Sequence, residues 1–341
     1  MTERMGRQPT QIIAGCVALG VLIAAGFVLY EKLGDLDFAH IWERLHETSW
    51  EAIGISLGCT AAAYLVLTVY DSTAFTYIRR PMAFTRIMYV SFVAYAFSHN
   101  IGVGAVSGGS IRYRFYSRWG VSTYDIATVI IFGGLAYVLG IIAVAGLIIL
   151  VNAEHLAAVM ELPIWAAQTA GVVATLVGSF YLIWSLIGRP SFVLKGRRFR
   201  PPEIAIGLKQ VATACLEWGF ASAALYYLLP PDVDISFWHF VGIYVIGYVA
   251  GMMSQAPGGI GVFEAALLLM LPESAPKEAV LAAVLAYRAL YFLLPFIIAL
   301  GMMGASEARG MSRAARKRQL LKLRRKRRSG ARDKPDIASE S

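Results

Sequence analysis

Four ionisable side chains stand inside apolar stretches: Asp71 in LTVYDSTAF, Glu217 in TACLEWGF, Glu264 in SQAPGGIGVFEAALLLML and Arg288 in LAYRALYF. A charge in hydrocarbon is costly enough to mark either a function or a partner. Counted from the flanking loops, Glu217 and Arg288 lie roughly 15 to 20 Å into their segments, near mid-bilayer, at about 1.5 Å per helical residue. Two chemistries fit. Arg288 pairs with Glu217 or with Glu264 and pins helices together, or it is an anion contact whose neighbouring carboxylate positions it or carries a proton. Glu264 has a further reading, because it follows Gly261 in the first turn of a helix, where free N–H groups and the helix dipole favour a carboxylate.

A second group of polar residues interrupts residues 84–111. Ser91, Tyr95 and Ser98 follow i, i+4, i+7 spacing and are continued by His99 and Asn100. The stretch GAVSGGSIRYR then supplies Gly108, Gly109, Ser110, Arg112 and Arg114. Small residues, open backbone N–H groups and forked guanidinium donors are the components of a phosphate cradle. The plainer alternative is a tight hairpin followed by ordinary cytoplasmic positive charge. The other interruption, in 236–271, carries Gln255 and the helix breakers Pro257, Gly258, Gly259 and Gly261. Substrate-contact candidates are therefore Ser98, His99, Asn100, Ser110, Arg112, Arg114, Glu217, Gln255, Glu264 and Arg288, with hinges at Gly108, Gly109, Pro257, Gly258, Gly259 and Gly261.

Other chemistries find no support in the sequence. Cys16, Cys59 and Cys215 stand singly in apolar segments, and the five histidines are scattered, so neither a metal site nor a catalytic set is expected. GxxxxGK[ST], HExxH and GxSxG do not occur, and no cofactor is expected.

The elements that hold these residues follow from hydropathy. With 57% hydrophobic and 16% charged residues, and the charges gathered between long apolar runs, the chain reads as an all-α polytopic membrane protein. Six full spans are expected at 11–30, 51–78, 124–151, 164–187, 203–229 and 279–304. Basic clusters at Arg79, Arg80 and Arg86, at Arg112 to Arg118, at Arg189 to Arg200 and beyond Arg309 alternate with acidic loops at 31–50, 152–162, 230–235 and 272–278. Lys and Arg accumulate on the cytoplasmic side. The alternation holds only if 84–111 enters and leaves from inside and 236–271 enters and leaves from outside. Both then read as re-entrant hairpins, and span–hairpin–span recurs in inverted sense over about 51–151 and 203–304, an arrangement that many transporters share.

The organisation expected is a cytoplasmic N-terminus at 1–10, a membrane domain at 11–305 and a basic disordered cytoplasmic tail at 306–341. The tail, tethered to a span, points to anionic lipid and not to nucleic acid. Phe38, Ile41, Trp42 and Leu45 form an apolar stripe, expected on a short helix lying on the outer surface.

FSHNIGVGAVSGGSIRYRFYSRWGVS together with GYVAGMMSQAPGGIGVFEAALL resembles the transmembrane flippase region of bacterial lysylphosphatidylglycerol synthetase/flippase (MprF-type) proteins and the related stand-alone YbhN-type proteins, over roughly residues 10–305. The resemblance implies a protein of the bacterial cytoplasmic (inner) membrane, a homodimer, and a phospholipid moved between leaflets, lysyl- or alanyl-phosphatidylglycerol being typical of the fused proteins. On the family's motifs fall Arg112, Arg114, Pro257, Gly258, Gly259 and Glu264. After 305 only a basic tail follows, so lipid aminoacylation is not expected of this chain. Any lipid-modifying enzyme would be a separately encoded partner. The expected function is flippase-like lipid translocation. The alternatives are a membrane enzyme acting on a lipid-linked substrate, with Glu217, Glu264 or Asp71 as acid or base, and a scaffold for an envelope lipid enzyme.

Overall fold

The computed structural model describes residues 38–100, 104–159, 161–187, 192–194, 197–199, 203–254, 257–272, 274–306 and 308. The N-terminus at 1–10, the expected span at 11–30, the tail beyond residue 308 and Gln255 lie outside the described residues. By internal packing the chain forms two units, Met1–Phe296 and Ile297–Ser341. Of the second, 297–306 and 308 are described, and they are helical.

Apolar runs of span length become helices at Trp50–Tyr77, Thr123–Val151, Ile164–Ile187 and Ile204–Tyr226, and the Lys277–Tyr287 helix is continued by a π-helical turn at Arg288–Leu293. Serine side chains start three helices: Ser49 Oγ accepts from Ala52 N–H at 3.1 Å, Ser122 Oγ from Asp125 N–H at 3.1 Å, and Ser236 Oγ from His239 N–H at 3.4 Å. Each satisfies an N–H that has no partner within its own helix. Three helices, Trp50–Tyr77, Thr123–Val151 and Lys277–Ser306, are long and apolar enough to cross a membrane, and this is a helical membrane protein. Among the described residues the exception to helix is a two-stranded antiparallel ribbon in the basic loop, Phe192–Leu194 with Arg197–Phe199.

Both interrupted regions are helical hairpins. The first pairs Phe84–Asn100 with Gly104–Arg118. Tyr89 stacks edge-on against Phe115 at 5.2 Å, and Tyr95 lies under Arg112 at 4.7 Å, so the limbs run antiparallel. The second pairs Phe237–Met253 with Val262–Met270 through a turn at Pro257–Gly259, with Tyr244 edge-on to Phe263 at 5.5 Å. At about 1.5 Å per residue the 9-residue limb Val262–Met270 is roughly 14 Å long, well short of a bilayer core of about 30 Å.

Two differences from expectation concern local structure. Gly108 and Gly109, expected in the turn of the first hairpin, lie inside the Gly104–Arg118 helix. A Cβ on Gly108 would overlap Ser98 Oγ and come within 3.1 Å of Arg112 Nη1, so this glycine serves the close approach of the two limbs and not a bend. The Phe38–Glu47 helix does not simply lie on a surface. Ile41 is buried in a cluster with Leu281 and Ala282, with Leu45 packed beside it, while Trp42 faces outward.

The Trp50–Tyr77 helix packs along the Ile204–Tyr226 helix, bringing the leading helix of each span–hairpin–span unit together. Ala63, Leu67 and Ala74 on one and Ala214, Ala221 and Ala224 on the other are buried. Small side chains keep the backbones close, as membrane helices require when lipid offers no hydrophobic driving force for association.

Candidate functional site

Of the four ionisable residues, Arg288 and Glu264 pair with each other, Asp71 pairs with Arg112, and Glu217 stands outside both pairs. Arg112, on the second limb of the first hairpin, binds Asp71 in fork fashion: Nε donates to Oδ2 at 2.9 Å and Nη2 to Oδ1 at 2.9 Å. Tyr116 Oη donates to Asp71 Oδ2 at 3.1 Å, and the Tyr95 ring closes the other side of the guanidinium. The Arg112 and Asp71 side chains are only 8% and 1% exposed. The pair ties the first hairpin to the Trp50–Tyr77 helix. Arg114, two residues on and so about 200° around the helix, lies on another face and is half-buried.

The second pair ties the second hairpin to the helix that follows it. Arg288 Nε donates to Glu264 Oε1 at 2.7 Å, and Nη2 stands 2.6 Å from the same oxygen. Glu264 Oε2 accepts the Gly261 N–H at 2.8 Å, so the carboxylate also caps its own helix. The pairing and capping readings of Glu264 are both realised. Arg288 Nη1 donates to the Gly258 carbonyl at 3.0 Å. This carbonyl is presented because Gly258, Gly259 and Gly261 all have positive φ, at 63°, 64° and 86°. Non-glycine residues visit that region rarely. Gly259 is also pressed on Gly251, where a Cβ would come within 3.1 Å of the Gly251 Cα. The Arg288 and Glu264 side chains are 19% and 13% exposed, and Gly258 and Ile260 beside them are exposed.

The end of the first hairpin meets both of these elements. Its Phe84–Asn100 limb packs against the Pro257–Gly259 turn and against the π-helical turn that begins at Arg288. A π-turn displaces carbonyls from their regular i to i+4 bonds, and side chains from elsewhere take them up. Asn100 Nδ2 donates to the Phe292 carbonyl at 3.1 Å, and Tyr64 Oη to the Tyr291 carbonyl at 3.3 Å. His99 sits among Tyr64, Tyr291 and Phe292, its Nδ1 3.5 Å from Tyr64 Oη. Ser110 points elsewhere: it is exposed and bonds the Val106 carbonyl of its own helix at 2.8 Å.

Glu217 joins neither pair. It is buried, with Oε2 lacking a hydrogen-bond partner, in an interior built from tyrosines. Tyr137 Oη donates to Tyr248 Oη at 3.2 Å, Tyr244 and Tyr287 hydroxyls are 2.6 Å apart, and the Trp218 ring lies 4.9 Å from that of Tyr248. Tyrosines at i, i+4 spacing inside apolar helices, 244 with 248 and 287 with 291, were the available sequence signal for this interior.

The transmembrane-region model of lysylphosphatidylglycerol synthase matches residues 17–299. The chain belongs to this family. It is 35% identical over 287 residues to the Synechocystis sp. protein slr0712, a match covering 80% of this chain and 88% of that one. It is 29% identical over 281 residues to the inner membrane protein YbhN of Escherichia coli, covering 80% and 85%. With phosphatidylglycerol lysyltransferase of Staphylococcus aureus the identity is 24% over 304 residues, covering 88% of this chain but 35% of that enzyme. Both ion pairs and both hairpins lie within the matched residues.

Proposed function

We propose that this chain moves a phospholipid between the leaflets of a bacterial inner membrane, with the headgroup phosphate meeting Arg288 at the junction of the two hairpins. The observation that carries the reading is the partly exposed Arg288–Glu264 pair beside the glycine turn. A lipid phosphate accepts forked, charge-assisted hydrogen bonds from a guanidinium as a carboxylate does, so it competes with Glu264 for the same donors. Exchange of partners frees Glu264 and, with it, the second hairpin. Arg112 is then the latch of the first hairpin, held on Asp71 until that hairpin moves. Acyl chains remain in the bilayer throughout. Membership of a lysylphosphatidylglycerol synthase family, and similarity to a phosphatidylglycerol lysyltransferase, support a phospholipid, with phosphatidylglycerol or its aminoacylated form as the cargo class.

The orientation proposed keeps both termini cytoplasmic, with the two hairpins entering from opposite faces. The Lys/Arg bias of the loops supports it, and exposed Trp42, Trp50, Trp165 and Trp238 stand in or at the start of helices where an interfacial aromatic belt is expected. Aminoacylation is assigned to a separately encoded enzyme, and a homodimer to the assembly. Reconstitution of the purified chain tests the function: labelled phospholipid should become reachable from the opposite leaflet faster than in empty vesicles, with the lipid chemically unchanged. A modified lipid formed without leaflet exchange would favour a membrane enzyme instead.

A further inference from the structure

Glu217 is the one buried carboxylate of the described helices that neither ion pair uses. It lies 13 residues beyond Ile204 in the Ile204–Tyr226 helix, about 20 Å from that end at 1.5 Å per residue. Its exposure is 2%, and Oε2 has no hydrogen-bond partner. The guanidiniums of the two ion pairs are committed elsewhere, Arg112 to Asp71 and Arg288 to Glu264.

What surrounds Glu217 is phenolic. Tyr70 from the Trp50–Tyr77 helix, Tyr95 from the first hairpin, Tyr137 from the Thr123–Val151 helix, Tyr244 and Tyr248 from the second hairpin, and Tyr291 from the π-turn all lie within electrostatic reach of it. The Lys277–Tyr287 helix adds Tyr287, bonded to Tyr244. Phenols are neutral. An ionised carboxylate among them is desolvated with no opposite charge to offset it, and the chemical escape of a buried acid is to hold its proton. A proton also needs no room, which suits a side chain that is buried in a closed interior.

We infer that Glu217 is a proton-binding site: it stands as the carboxylic acid in the closed interior and releases its proton to water when that interior opens. In the release the carboxyl O–H bond breaks, the electron pair stays on Glu217, and the proton leaves on water. Tyr95 connects the event to the first hairpin, because it is within reach of Glu217 and also lies against the Arg112 guanidinium that holds Asp71. The link to lipid movement rests on the proposed translocation, whereas the proton site does not.

Infrared difference spectroscopy on the full chain in phosphatidylglycerol-containing nanodiscs reads the site directly. The result expected near neutral pH is a protonated-carboxyl C=O band that shifts in D2O and is missing from Glu217→Gln, which keeps the shape of the neutral acid and so the fold. No such band in the wild-type chain, or a band that survives in Glu217→Gln, overturns the inference. Leaflet exchange measured on the same preparations separates the two readings. The band without exchange retains the proton site and removes translocation; exchange without the band does the reverse.

Discussion

The two hairpins are each fastened to a span by one arginine–carboxylate pair, yet the pairs are built differently. Arg112–Asp71 is forked, roofed by Tyr95, bonded by Tyr116 and sealed, with the carboxylate 1% exposed. Arg288–Glu264 rests on a single carboxylate oxygen, shares its other oxygen with a helix N-terminus, and reaches a glycine turn that is itself exposed. A sealed pair is expensive to break and offers a ligand no approach, which makes it a fastening. A partly open pair, held next to backbone carbonyls, is one whose partner can be exchanged. The same two residue types therefore carry different roles, decided by burial and by what each carboxylate's second oxygen does.

Removing one member of the sealed pair should give the largest effect on stability. Asp71→Ala or Arg112→Ala leaves a buried charge alone, at a cost of about 3–5 kcal/mol, whereas Asp71→Leu with Arg112→Met should recover most of it. Thermal unfolding of the detergent-solubilised variants checks this, and an unchanged midpoint in both single variants would dissolve the distinction between the pairs. Gly259→Leu ranks next. It forces a side chain into left-handed backbone, roughly 1–2 kcal/mol, and against the Gly251 backbone as well. Glu264→Gln should be milder in stability, about 1 kcal/mol or less, since the amide oxygen still accepts the Gly261 N–H. Its effect belongs to transport, which should fall because no carboxylate remains to displace the phosphate from Arg288 and complete the exchange of partners. Ser110→Ala should sit at the bottom of the scale, within about 0.5 kcal/mol and with exchange unchanged, because its hydroxyl serves only its own helix.

The frame of this molecule was legible in its sequence because hydropathy and charge report directly on where segments lie. The expected spans at 51–78, 124–151, 164–187 and 203–229 agree with the helices to within about three residues, and both hairpins followed from glycine breaks and charge parity. The glycines themselves misled locally. Gly108 and Gly109 look like a turn, yet they sit in a helix whose partner limb needs the space, and a glycine required for close approach is indistinguishable in sequence from one required for a bend. Pairing was only half legible. Arg288 had two acceptable partners, and the choice of Glu264 depends on the turn at Gly258, where the Arg288 fork also finds a carbonyl. Asp71 was visible as an ionisable residue, but its link to Arg112 spans 41 residues and has no periodic signature. The π-turn and the Tyr64–Tyr291 contact, 227 residues apart, belong wholly to tertiary packing.

If the open pair meets the lipid phosphate, leaflet exchange depends on the Arg288 charge, which Arg288→Gln removes. The variant is reconstituted beside the wild-type chain at matched protein content and thermal midpoint. Loss of a charge-assisted contact of about 1.5–3 kcal/mol predicts exchange slowed by about tenfold or more. Exchange at the wild-type rate in folded Arg288→Gln would mean that the lipid phosphate does not meet this pair.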